Sequence, residues 1–154
     1  MIRIRFMIFA ILLIFSSCKD DYTICDLSKV VVLKNGFYQF TSGIEKPVAA
    51  SLFSLTQIDN SPVYNNVSNI SKFNFSLNPA ATSVKYQIIT SAGSVPDTVT
   101  YSYNTENVQL STNCGNVYVN TLTSVSTTTH TLDSIKIFNS TVNTESGENI
   151  KIYF

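Results

Sequence analysis

The stretch KFNFSL, Lys72–Leu77, decides the fold. Phe73, Phe75 and Leu77 fall on one side of an extended chain and Lys72, Asn74 and Ser76 on the other. A period of two is the mark of a strand with one face buried, because successive side chains point to opposite faces. The same period recurs along the chain. TVTYSYN sets Val99, Tyr101 and Tyr103 against Thr98, Thr100 and Ser102, and SVKYQII sets Val84, Tyr86 and Ile88 against Lys85 and Gln87. NIKIYF aligns Ile150, Ile152 and Phe154; LDSIKIFN offers Ile135 and Ile137, and NVYVNTL offers Val117 and Val119. No long window carries the three- and four-residue apolar spacing of a helix.

Breakers fall between these runs. Pro47, Pro62, Pro79 and Pro96 lie in gaps, as suits a residue that cannot donate to a ladder. Asn35-Gly36 interrupts VVVLKNGFYQF, and Asn-Gly is the strongest short hairpin signal, so a turn is expected there. IDNSPVYNNVSNIS, Ile58–Ser71, reads as a polar loop with a short edge strand. About seven to nine short antiparallel strands with regular turns predict an all-β sandwich, with a small β-barrel as the alternative. The length of 154 residues suits one domain, expected over residues 29–154. Hydrophobic residues make up 44% and charged ones 13%, which argues against disorder. Formal net charge is +0, so no basic excess exists to hold phosphates, and nucleic acid is not expected as a partner.

The N-terminus has a different character. Arg3 and Arg5 precede the apolar run FMIFAILLIF, Phe6–Phe15. A basic start followed by about ten apolar residues has the layout of a secretory signal, and it is shorter than the roughly 20 residues that span a bilayer. Residues 1–17 are therefore expected to be a cleaved signal peptide.

Ser16-Ser17-Cys18 resembles a bacterial lipobox, with Phe15 where that pattern prefers Leu. The resemblance implies cleavage before Cys18 and acylation of its thiol and amino group by fatty acyl chains such as palmitate. Two or more chains anchor stably where one does not. Lys19-Asp20-Asp21 looks like the export signal of surface lipoproteins of the Bacteroidota. The implied address is the outer membrane, lipid-anchored and facing outward, with a periplasm-facing orientation as the alternative. Residues 18–28 would form a short lipidated tether. Cys25, STNCG at Ser111–Gly115, LDSI at Leu132–Ile135 and the apolar final strand together resemble a family of small uncharacterised Bacteroidota lipoproteins. That resemblance implies a fold class and an address, and no activity.

With Cys18 carrying lipid, Cys25 and Cys114 remain, and in an oxidising compartment a pair is expected to bridge. Two buried free thiols are the alternative. Closing a loop of about 90 residues would stabilise the fold by roughly 4–5 kcal/mol at most. Seven steps of chain separate Cys18 from Cys25, a reach of at most about 25 Å. The body is thus expected to sit close to the membrane. No Cys-x-x-Cys occurs, and the single histidine, His130, has no partner at ligand spacing, so neither a metal nor another cofactor is expected.

Catalytic constellations are not found. His130 with Asp133 and a serine is arithmetically possible, but there is no Gly-x-Ser-x-Gly turn. The acidic residues are few and scattered, unlike a pair flanking a cleft. An enzyme is the least expected class. Tyr64, Tyr118 and Tyr153 are candidate aromatic platforms for a glycan, against the commoner role of shielding a sheet. Asp97-Thr98-Val99 and Asp133-Ser134-Ile135 match the Asp-Ser/Thr-aliphatic triplet at which Bacteroidota attach O-glycans, making Thr98 and Ser134 candidate acceptors. The expected role is a non-catalytic interaction or accessory module at the outer membrane, serving an outer-membrane protein partner; the alternative is a glycan-binding surface lipoprotein.

Overall fold

The computed structural model describes Cys25, residues 28–58, Asn60 and residues 62–154. The expected signal segment, Cys18 and the Lys19-Asp20-Asp21 export signal lie outside the described residues.

The described chain is all β. Its strands are β1 (Leu33–Thr41), β2 (Ile44–Pro47), β3 (Ala50–Gln57), β4 (Pro62–Ile70), β5 (Lys72–Phe75), β6 (Ser83–Ile89), β7 (Asp97–Ser111), β8 (Gly115–Thr127), β9 (Ser134–Ile137), β10 (Thr141–Val142) and β11 (Ile150–Tyr153). One sheet runs β2-β1-β11-β9 with β5 also on β1, and the other runs β10-β8-β7-β6-β3-β4. Both sheets have open edges, so the architecture is a sandwich and not a closed barrel. The Phe37 N–H donates to Ser71 O at 2.9 Å, and its carbonyl accepts from Val48 N–H at 3.0 Å. β5 and β2 therefore follow one another along the same edge of β1. Such sharing by short pieces raises the strand number among the described residues to eleven, above the expected seven to nine.

The alternating positions read from sequence supply the core. Phe73, Phe75, Leu77, Tyr86, Ile88, Val99, Tyr101, Tyr103, Ile150 and Ile152 are all buried, joined by Leu33, Phe37, Phe53 and Leu55. Phe53 and Phe73 rings lie 4.6 Å apart and Phe75 and Tyr86 4.5 Å, the close aromatic contacts that dominate such a core. Tyr101, fully buried on β7, donates its hydroxyl to Asn35 Oδ1 on β1 at 3.2 Å, which joins the two sheets through the core.

Three expectations are corrected. Asn35-Gly36 is no hairpin; both residues sit inside β1. Gly36 is required for a different reason, because a Cβ there would overlap Glu148 Oε2. The hairpin comes further along at Ser42-Gly43, with φ of 54° and 78°, the paired positive values of a tight primed turn. The expected loop at Ile58–Ser71 is largely β4, a nine-residue edge strand. Its Asn66 and Asn69 take positive φ, its pairing with β3 shifts register twice, and Asn66 N–H donates to Ser54 Oγ at 2.9 Å. Being exposed, it lacks the apolar alternation that reveals a strand, and its irregularity blunts the edge against further pairing. Finally, β11 pairs with β1 in parallel, Asn35 opposite Ile150 through Tyr38 opposite Tyr153. After β9 the chain crosses to the other sheet as β10 and returns, so no tight turn forces an antiparallel direction.

β7 and β8 outrun the sandwich. Alternating burial on β7 ends at Tyr103, and the remainder continues with β8 as an arm to a tip at Cys114. The expected bridge is present there, between Cys114 and Cys25, with Cα atoms 5.0 Å apart. It holds the start of the described chain to the arm tip.

Candidate functional site

Successive side chains of β1 and β11 point to opposite faces, so the residues between the core positions Phe37, Ile150 and Ile152 share the outer face of the five-stranded sheet. Tyr38 and Phe40 from β1, Lys151 and Tyr153 from β11, Lys136 from β9, and Phe138 just beyond it form a row of rings and cations. Lys151 Nζ sits 4.6 Å from the Phe138 ring centre and 4.7 Å from that of Tyr38. Tyr38 and Tyr153 are 6.1 Å apart, and Phe40 stacks on Tyr153 at 5.3 Å with planes 8° apart. Lys136 Nζ lies 5.4 Å from the centre of the Tyr153 ring. Cation–ring contacts of this sort contribute roughly 0.5–1 kcal/mol each at exposed sites.

Two carboxylates fix the row. Glu45, on β2, accepts from Lys151 Nζ and from Tyr153 Oη, the latter at 2.9 Å. The Lys151 and Tyr153 hydrogen bonds hold its carboxyl below the ordinary range. Glu148 Oε1 accepts from Tyr38 Oη at 2.6 Å. Burial, and then the bond to Glu148, push the Tyr38 hydroxyl up to about 12; burial and Glu45 do the same for Tyr153. Phe40 remains 60% exposed and Phe138 65%, so two rings of the row are open to a partner, while Tyr153 lies beneath Phe40, 5% exposed.

Beside Glu148 is a cleft of about 210 Å³, lined by Lys34, Lys72, Asn74 and Gly147 among others. Glu148 also lines it, and its Oε2 is buried without a hydrogen bond, with Lys72 Nζ at 3.8 Å. Lys34 Nζ is held by Ser146 O at 2.5 Å. Asn149 positions this segment: its N–H donates to Lys34 O at 2.8 Å, and its Oδ1 accepts from Lys34 N–H at 3.1 Å. The face thus carries Lys34, Lys72, Lys136 and Lys151 against Glu45 and Glu148, on a chain whose formal charge is +0. Chemically it is suited to stacking and to anion contact. It presents no nucleophile next to a base.

The other constellation considered from sequence is built differently. His130 pairs with Asp97, not Asp133: its Nδ1 is 3.3 Å from Asp97 Oδ1. Asp97 is fully buried and accepts from Thr128 Oγ1, His130 N–H, Thr131 N–H and Oγ1, and Leu132 N–H at 2.7–2.9 Å. Burial raises its pKa, but these donors outweigh burial and hold the carboxyl well below the usual range. Its capacity is spent on holding the 128–132 loop closed.

Of the three candidate tyrosines, Tyr153 is covered by Phe40, and Tyr64 bonds to Asn74 O at 3.0 Å; Tyr118, on the arm, is 53% exposed. Thr98 lies half-buried in β7 and Ser134 half-buried at the start of β9. Sequence reasoning missed Glu148 and Asn149, which sit in a polar run with no periodicity, and Phe40, whose exposure depends on the β1–β2 turn.

A family model, "Family of unknown function (DUF6452)", matches residues 51–154, and the chain belongs to that family. No curated protein and no solved structure matches it.

Proposed function

We propose that this member of a family without assigned function is a lipid-anchored outer-membrane lipoprotein, displayed at the surface, that acts as a non-catalytic interaction module. One observation carries the reading: Cys25 is bridged to the arm tip, while exposed apolar residues flank the β1–β2 turn. The bridge to Cys114 fixes Cys25 at the arm tip, and Leu33, where β1 begins, follows the tether. The turn at Ser42-Gly43 lies at the other end of β1, about 26 Å away at strand rise. Exposed Phe40 and Ile44 flank that turn. An anchor on Cys18, within about 25 Å of Cys25, would hold the body near the lipid and leave the ring-and-lysine face available to a partner protein.

Acyl labelling of wild type and Cys18→Ala tests the anchor: label is expected on wild type alone, and persistent label on the alanine variant overturns it. Crosslinking on intact cells with wild type and Phe40→Ala tests the face. A partner captured by wild type and lost with Phe40→Ala is the expected result, and equal capture removes the face from the reading. The exposed Phe40 ring also favours a second reading, a glycan ligand stacked on it, which a glycan array with the same pair would support.

A further inference from the structure

At the tether end the sandwich is open. The arm extends past the core, and beneath its core-side face is a groove of about 440 Å³. It is lined by Lys29, Val30 and Val31, the first residues of the domain after the tether, and by Leu77, Pro79 and Tyr118 among others. Val30 is 66% exposed and Tyr118 53%, although both border this groove. Among the described residues that line it, Lys29 is the one with a charge. Two features of the fold keep the groove at this end. The Cys25–Cys114 bridge ties Cys25 to the arm tip, and Tyr103 Oη donates to Asn78 O at 3.0 Å, which holds the 77–79 loop.

We propose that this mouth is a bilayer-interface contact, with Tyr118 and Val30 seated among lipid headgroups and Lys29 facing their phosphates. The inference rests on the anchored reading and deepens it by naming the surface that meets the lipid. Tyrosine favours this zone because its ring is apolar and its hydroxyl wet. A lysine among otherwise uncharged described lining residues suits an anionic surface. The tether decides between lipid and other occupants. With at most about 25 Å of chain between Cys18 and Cys25, the mouth stays in the membrane's immediate neighbourhood. A short tether gives an effective concentration in the millimolar range, so a contact too weak to bind lipid alone is occupied once anchored. The body then leans on the bilayer by the arm and does not swing freely on its tether.

The chain contains no tryptophan, which makes single replacements clean reporters. Tyr118→Trp and Phe40→Trp would be made in the full lipidated protein and reconstituted on phosphatidylethanolamine/phosphatidylglycerol vesicles carrying shallow brominated lipid. At an interfacial depth of about 5–10 Å, bromine should remove roughly half or more of the indole emission of Tyr118→Trp and leave that of Phe40→Trp unchanged. If the protein sediments with vesicles while Tyr118→Trp is no more quenched than Phe40→Trp, the mouth is not at the bilayer and this inference is overturned, with the anchor intact. Emission from Tyr118→Trp that shifts blue with protein concentration and without quenching assigns the mouth to a second copy and also overturns it. Failure to sediment removes the anchor, and the inference falls with it.

Discussion

Asp97 and Glu148 are both carboxylates with little solvent exposure, yet the regions around them are built in opposite ways. Asp97 receives five donors at 2.7–2.9 Å from one short loop and bonds through both oxygens. Glu148 receives one, from Tyr38, and its Oε2 has none. A buried charge is tolerated where hydrogen bonds replace the water it lost. By that measure Asp97 is a finished structural knot. Glu148 lies on a face where two lysines and a cleft leave capacity for a ligand. The contrast separates a closed structural knot from the face proposed for recognition.

The strongest way to break the contrast is Asp97→Asn. An amide group must then face N–H and O–H donors, and unfolding in urea is expected to show a loss of about 3 kcal/mol. A loss under about 1 kcal/mol would mean that the knot is not structural. Because the folded pKa of Asp97 is depressed, its contribution is complete above the ordinary aspartate range and is lost as pH falls through the lower folded value. The acid limb of stability should therefore flatten in Asp97→Asn, as measured by urea midpoints from about pH 5 downwards.

Gly36→Ala attacks the other region. Its Cβ would overlap Glu148 Oε2, so the carboxylate must move, at a cost of about 1–3 kcal/mol. The Tyr38 hydroxyl should then titrate nearer its ordinary value, because part of its rise to about 12 comes from Glu148; absorbance at alkaline pH reads this directly. For the wild type, raised tyrosine values mean that the stability from Tyr38 and Tyr153 is full below pH 10.0 and is lost as pH rises through about 12.

Glu148→Gln should be nearly silent, within about 1 kcal/mol, since the amide can still accept from Tyr38 and can turn its N–H₂ into the unbonded position. A loss equal to that of Asp97→Asn would erase the distinction between the two carboxylates. Smallest of all, Phe40→Ala should change stability by about 0.5 kcal/mol or less, as an exposed ring does. A large loss there would make the ring row a structural element and not a face for a partner.

Much of the core was legible before the fold. Phe73, Phe75, Tyr86, Val99, Tyr101 and Ile152 announce themselves by alternation, because burial of one face leaves a period of two. β4 was illegible because an exposed edge strand carries no such period. Asn35-Gly36 misled because its local preference for a turn is weaker than the burial of β1 and the approach of Glu148 over Gly36. The pairing of His130 was hidden as well: Asp97 is distant in sequence and meets it only where β7 begins beside the 128–132 loop.

The sequence by itself determined that this is a β protein, which residues fill its core, and that Cys25 and Cys114 are available to bridge. Those properties depend on side-chain type and local period. Only the tertiary structure decided that β11 lies parallel to β1, that Asp97 is spent while Glu148 is not, and that Cys25 is bridged to the tip of the β7–β8 arm. These depend on which distant segments meet, and a contact between residues as far apart as Tyr38 and Glu148 leaves no trace in local order.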